Sequence, residues 1–256
     1  MRPDRALATT VLLPLLPLAG ACLFAEAAVS RGWVPSYLVP APSSVAKSLR
    51  NDADLWRAAS STAIASVGGF ALSAVVGLVL AIALSSARWV QRTFYPYAVL
   101  FQTIPIVAIA PMLVIWIGFD LRTVIVSAFI VSVFPVIANA INGLLSTDPA
   151  LVDLFRLYGA TRFKTLWKLR LPFALPAILT GLRVAGGLAV IGAIVGEFIT
   201  GGGLGGIIDI SRTQQRVDKI FAGLLLASAL GIALFGVVNL VSRLMLRNWH
   251  PSEKSE

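Results

Sequence analysis

Residues 123–147 read TVIVSAFIVSVFPVIANAINGLLST, a run of 25 positions without a charge. Its apolar residues come in blocks, not in the in/out alternation of a membrane strand. As a helix rising 1.5 Å per residue, the run exceeds the roughly 30 Å hydrocarbon core of a bilayer. Pro135 is no objection, because proline is tolerated in membrane helices more than in soluble ones. The stretch predicts a membrane-spanning helix.

Five more runs of this kind flank it. Ala6 to Ala25, Ala58 to Ala87, Thr93 to Phe119 and Ile220 to Ser242 carry no charge, and Pro172 to Thr200 is interrupted only by Arg183 and Glu197. The whole chain is 57% hydrophobic and 13% charged, against about a quarter charged in a soluble domain. The predicted fold is therefore all-α: a polytopic membrane bundle of six transmembrane helices forming one domain over residues 1–256. The net charge of +9 is scattered between the apolar runs, so it reads as a topology signal and not as a nucleic-acid-binding stripe. One cysteine, Cys22, and one histidine, His250, exclude an intrachain disulfide and a zinc site built on paired Cys or His.

Loop charge sets the orientation. With the N-terminus inside, 12 Lys and Arg fall in cytoplasmic segments and 8 in outer ones. That bias places both termini in the cytoplasm, with a short N-terminal end (1–5) and a tail (247–256). Arg2, Arg5, the apolar run and Ala25-Glu26-Ala27 also fit a cleavable signal peptide. Cleavage would leave an odd number of spans with inverted loop charge, so a retained helix is expected. Residues 43–58 form an outer amphipathic segment, with Val45, Leu49, Ala53 and Trp56 on one face and Lys47, Arg50, Asp54 and Arg57 on the other. It either lies on the membrane surface or packs on the bundle.

The longest cytoplasmic loop, about 148–172, is basic yet amphipathic through Val152, Phe155, Phe163, Leu166 and Trp167. Gly159 followed by Thr161 predicts the end of one short helix and the cap of the next. Two short helices meeting at a glycine make a docking knob for a soluble partner.

This segment resembles the EAA loop of ABC-importer permeases. Asp153, Leu154 and Phe155 take the opening positions, Gly159 with Ala160 the glycine step, and Leu169, Leu171 and Pro172 the Ile-x-Leu-Pro ending. Asp153 keeps the charge of the family's Glu, while Leu154 and Phe155 are bulkier than its alanines. Pro35 to Pro42, Ile104-Pro105, Ala110-Pro111, Trp116-Ile-Gly118, Leu175-Pro176, Gly181-Leu182-Arg183, Glu197 and Gly203-Leu204-Gly205 resemble the nitrate, sulfonate and taurine branch, which also serves pyrimidine precursors and riboflavin. The resemblance implies a permease of a bacterial inner membrane carrying a small anionic or heterocyclic solute. It implies a second permease copy, two cytoplasmic ATPases that bind the ATP and Mg, and an extracytoplasmic solute-binding protein. No cofactor is expected on this chain, which has no Gly-Lys-Ser/Thr phosphate loop and is expected not to be an enzyme.

Candidate path or gate residues are the polar and kink-forming groups of the spans. Gln102, Asn139 and Asn142 either line a path or bond between helices, and Pro105 sits beside Gln102. Arg183 either snorkels toward the cytoplasm or guides anions. Glu197 is expected at a gate or in a structural pairing, with simple exposure at the interface as the alternative and a proton-coupling role disfavoured by the lack of a relay. Residues 201–206, GGGLGG, match a dinucleotide fingerprint formally but follow a membrane helix and not a strand. Gly203 and Gly205 are expected in an outer gate or a close-packed turn. Two other classes compete. An ion-coupled secondary transporter needs its own ion site and usually an internal repeat, and neither is evident. A membrane scaffold would leave the knob without a moving partner.

Overall fold

The computed structural model describes residues 3–246, with side chains from residue 16 onward except Arg88 and Phe101. The expected tail (247–256) and the first two residues of the N-terminal end lie outside the described residues. Helices begin where the sequence offers caps. The Asp120 carboxylate accepts from Arg122 N (2.9 Å) and starts α6, Leu121–Leu145. Asp148 accepts from Ala150 N (2.8 Å) and starts α7, Pro149–Leu157. Thr161 Oγ1 accepts from Lys164 N (3.3 Å) and starts α8, Arg162–Thr165.

The remaining helices are α1 (Pro3–Ser30), α2 (Pro42–Asn51), α3 (Ala53–Ser85), α4 (Arg88–Thr103), α5 (Ile106–Ile117), α9 (Leu171–Thr200), α10 (Gly203–Thr213) and α11 (Val217–Leu246). Among the described residues, four helices are long and apolar enough to cross a membrane: α3, α6, the run Arg162–Thr200, and α11. Leu16–Ser30 and α5 are shorter apolar helices. The six-span order thus stands, with one crossing made in two pieces. The sequence predicts an unbroken third span from Thr93 to Phe119, but the chain leaves the helix at Ile104 and Pro105, both with ψ 121°. Proline disfavours the helical conformation of the residue before it, and here no neighbour overrides that preference.

α6 is the centre of the bundle and packs along both α3 and α9. α3 and α6 run parallel: a Cβ on Gly69 would strike Ala128, one on Gly77 would lie 2.9 Å from Val136, and the Ser73 and Ser132 hydroxyls bond at 2.6 Å between them. α9 runs antiparallel to α6, with Gly143 against Ala174 at one end and Gly196 against Ser127 at the other. Small residues let these backbones approach, while larger ones face outward. On α3, Ala65, Ser66, Gly69, Ser73 and Gly77 are buried, whereas Ile64, Val67, Val75 and Val79 are more than half exposed. That inversion of the soluble pattern suits a lipid solvent. Gly192 and Gly196 serve this internal packing, each against Ser127 of α6.

The amphipathic segment 43–58 is not one helix. Asp52 leaves the helical conformation (ψ 97°) and its side chain accepts from Asp54 N, ending α2 and capping α3. α2 packs on the bundle through Val45, in one buried cluster with Leu55, Leu204, Ala222 and Leu226.

Candidate functional site

Two sites sit at opposite ends of the bundle. At one end, α7 closes on a complete glycine cap. Gly159 takes φ +70°, its N–H donates to Arg156 O (2.9 Å), and the Ala160 N–H donates to Phe155 O (2.9 Å). This pair of bonds is the Schellman motif, which satisfies carbonyls that the helix end leaves open. Nothing lies within 4 Å of where a Gly159 Cβ would stand, so the glycine is there for its backbone and not for space. On either side of the turn, Leu157 (85% exposed), Tyr158 (84%) and Phe163 (71%) stand in the open, and the Phe163 and Trp167 rings meet at 5.9 Å. Arg162, Lys164 and Lys168 are exposed among them.

Of the residues singled out in this segment, Asp153 is exposed and accepts from Arg156 Nη1 (3.0 Å), Leu154 is exposed, and Phe155 and Ala160 are half-buried. Leu169 lies in a π-helical turn, Leu166–Arg170, where Leu171 N donates to Leu166 O, one residue further back than in an α-helix. The slip comes just ahead of Pro172, whose ring supplies no N–H. Leu171 packs against a buried cluster containing Leu84, Ile141 and Leu144. The two-helix knob expected from the sequence is therefore not self-contained. Its second helix continues without interruption into the fifth span, making one 39-residue run.

At the other end, Glu197 is 1% exposed and forms the centre of a polar node. The Thr62 hydroxyl, from α3, lies 2.7 and 2.9 Å from its two carboxyl oxygens and donates to the group. Gly205 N donates to Oε2 (2.9 Å), and Leu204 N donates to Thr62 Oγ1 (2.9 Å). α10 has no side-chain cap of its own. Its first N–H groups are met instead by a carboxyl from α9 and a hydroxyl from α3, so Glu197 serves as a cap across tertiary structure. Gly203 must be glycine here, since a Cβ would overlap the carboxyl group, and a Cβ on Gly205 would stand 2.5 Å from Ile194 O.

Three further ties hold this end. Glu26 accepts from Ser43 N (2.9 Å) and Oγ (2.8 Å), joining α1 to α2. Ser48 Oγ donates to Asp218 Oδ2 (2.6 Å), which Arg216 Nη2 also reaches at 3.1 Å. The Lys219 ammonium pairs with Asp52 and, as the leading cause, holds its carboxyl below the ordinary value of 3.8. Ser48, Asp52, Arg216, Asp218 and Lys219 line an open polar hollow of about 620 Å³.

The other singled-out residues do not gather. Gln102 and Pro105 mark the α4–α5 break, where Gln102, Ile104 and Ile106 line a 270 Å³ cavity with Phe134 and Leu188. Asn139 is half-buried and donates from Nδ2 to Pro135 O (2.9 Å) on its own helix, while Asn142 is exposed. Arg183 is half-buried on α9, two residues past Gly181, whose Cβ would stand 2.8 Å from Pro135 O. Thr62 was not singled out from the sequence. Its only local signal is a hydroxyl within an apolar run, and α3 carries several.

The comparisons with known proteins agree with this architecture. Residues 73–252 match the family described as "Binding-protein-dependent transport system inner membrane component". A "Probable ABC transporter permease protein" of Haemophilus influenzae is 34% identical over 88% of this chain and 93% of its own length. The "Formylaminopyrimidine transport permease protein ThiX" of Halalkalibacterium halodurans is 37% identical over 70% of this chain and 72% of its own. The "Riboflavin transport system permease protein RibX" of Chloroflexus aurantiacus is 31% identical over 90% and 87%. An inward-facing structure of the MetNI methionine ABC transporter shares the fold, with a TM-score of 0.61 at 21% identity over 73% of this chain and 96% of that one. With the family matched across most of its spans and close relatives aligned nearly end to end, the chain belongs to the binding-protein-dependent transport system inner membrane components: it is a multi-pass membrane permease subunit of an ABC transporter.

Proposed function

We propose that this chain is half of the pore of a bacterial inner-membrane importer, a homodimer of permeases served by two cytoplasmic ATPases and an outer solute-binding protein. The solute is a small anion or heterocycle, such as a sulfonate, nitrate or a vitamin precursor. Support for that class comes from relatives named for formylaminopyrimidine, riboflavin and aliphatic sulfonates. ATP and Mg bind on the partner ATPase, and both termini face the cytoplasm, which makes the α7–α8 end cytoplasmic and the α10 end outer.

The observation that carries the proposal is the α7–α8 surface. Its exposed aromatic and leucine side chains, ringed by Arg162, Lys164 and Lys168, lie beyond the end of a span. Exposed apolar surface with a basic rim fits a protein groove better than water. ATP-driven closure of the partner then pushes the knob, and the helices alternate between inward- and outward-facing states. The break at Ile104–Pro105 supplies the path, with Gln102 presented to the solute. Glu197, Gly203 and Gly205 serve the outer end as structural members.

Copurification of the chain with an ABC ATPase, followed by uptake into liposomes containing ATP with and without the binding protein, tests the reading. Uptake should need ATP and rise with the binding protein. Saturable uptake driven by an ion gradient without ATP would refute it in favour of a secondary transporter.

A further inference from the structure

The run from Arg162 to Thr200 is a single helical rod of 39 residues, about 58 Å long at 1.5 Å per residue. That length is nearly twice the hydrocarbon core, so its two ends stand in different compartments. One end carries the knob surface, through Phe163 and Trp167. The other carries Glu197, three residues before the rod stops at Thr200. The last turn of a helix is the negative end of its dipole, a poor place for a carboxyl group taken alone. Here the N-terminus of α10 is folded back onto it. Gly201 (φ +77°) and Gly202 make the reversal, and Gly205 N reaches the carboxyl group. Thr62 closes the node from α3. The node thus ties α3 to the α9–α10 turn, at the end where α2 is also tied to α11 through Ser48 and Asp218.

We propose that the Glu197–Thr62 node is a latch that fixes α3 and α10 to the far end of the α8–α9 rod, so that the state of the outer end and the state of the knob are set together. Glu197 and Thr62 are positioning residues. They touch no solute, and they act by making the outer segments move with the rod instead of sliding past it. Coupling of this kind has a physical carrier. α9 packs on α6 along its length, at Gly143, Gly181, Gly192 and Gly196, and packed helices shift between discrete arrangements instead of deforming gradually. Its meaning for transport rests on the reading of α7–α8 as the ATPase-coupling surface, which copurification decides separately.

The test is hydrogen–deuterium exchange on the full chain in lipid nanodiscs, without partners or solute. Thr62→Val keeps the side-chain shape but removes the hydroxyl that Glu197 and Leu204 N share. Glu197→Gln keeps the shape and removes the acid. Thr62→Ser restores the hydroxyl. In both Thr62→Val and Glu197→Gln, amide exchange over 203–213 should rise. Exchange over 149–165, at the opposite end, should change with it by about fivefold or more, the lower range of measured couplings between sites. Thr62→Ser should return both segments to wild-type protection. Unchanged exchange over 203–213 would overturn the latch. Raised exchange there with an unchanged knob would overturn the coupling and leave only a local cap. If Thr62→Val fails to fold, the Glu197→Gln and wild-type comparison decides by the same two segments.

Discussion

The two ends of this permease share an open left-handed glycine cap, Gly159 at one and Gly201 at the other, and differ in their remaining glycines and carboxyl groups. At the α10 end, Gly203 and Gly205 are forced by crowding: any Cβ would enter the carboxyl of Glu197 or the backbone of α9. At the α7 end, Gly159 has open space around it and is required only by its φ of +70°. At the α10 end, Glu197, Glu26, Asp218 and Asp52 are bound into the fold by Thr62, Ser43, Ser48 and Lys219, while Asp54 and Asp209 meet only Arg57 and Arg212 in exposed pairs on their own helices. At the α7 end, Asp153 meets only its helix neighbour Arg156, both well exposed, an arrangement worth little. Both ends expose aromatic and basic groups, Trp33, Trp56 and Arg57 at one and Tyr158, Phe163 and Lys164 at the other, but only the α10 end buries a carboxyl group, Glu197, under bonds from other helices. An end that must bind a partner needs available surface, whereas an end that must hold its shape needs satisfied polar groups.

The sharpest way to break this comparison is sidedness. With the native Cys22 replaced, a cysteine at Tyr158 should react with a membrane-impermeant reagent only from the cytoplasm, and one at Thr213 only from outside. Both positions are exposed. Nearby Ser211 is 2% exposed and would not report. Labelling of both from the same side of intact cells would abolish the two-ended scheme.

Next in size is Gly159→Val. A left-handed backbone costs an ordinary L-residue about 1–2 kcal/mol and a β-branched one more, but the site is uncrowded, so the bundle should still fold and insert. ATP-dependent uptake should fall to background. Gly159→Asn should retain most of it, because asparagine visits the left-handed region readily. Normal uptake by the valine variant would separate the knob from energy coupling.

Gly205→Ala should show the reverse pattern. The added methyl meets Ile194 O and Glu197 Cβ, at 2.5 and 2.7 Å, and overpacking of this kind costs about 1–3 kcal/mol. Thermal unfolding in detergent should reveal a lowered midpoint, while the protein that remains folded still binds its ATPase. An unchanged midpoint would mean that the α10 end is looser than its geometry.

The smallest effect belongs to Asp52. Its folded carboxyl titrates below 3.8 because Lys219 holds the charged form. The resulting stability is present above about pH 4 and is lost as pH falls through the depressed folded value. Asp52→Asn should remove about 1 kcal/mol or less at neutral pH and flatten that acid-side loss. A variant as pH-sensitive as wild type below pH 4 would assign the loss to other carboxyls.

Much of this was legible before any coordinates. The uncharged runs and the Gly159 turn with its Thr161 cap follow from local chemistry, because each is decided by residues within a few positions; the caps at Asp120 and Asp148 are equally local but were not read. The break in the third span was legible in principle, since Pro105 biases Ile104 away from the helix. It was missed because apolarity alone reads Thr93 to Phe119 as one crossing. The split at Asp52 was missed in the same way: a face pattern continued across a residue whose own side chain caps the next helix.

What the sequence by itself determined is the solvent, the helical kind of the crossings, and the two short helices that meet at Gly159. Composition dictates whether a run can sit in lipid, and a tight turn needs only its own glycine. What only the tertiary structure decided is the partnership of Glu197. Thr62 is 135 residues away along the chain and is one hydroxyl among several on α3. Nothing local distinguishes it. Only the packing of α3 and α9 against α6, and the reversal at Gly201 that folds α10 back, bring the acid, the hydroxyl and two backbone N–H groups to one point. A buried polar group takes its partner from whatever the fold brings within about 3 Å, and that is a property of the packed bundle rather than of any stretch within it.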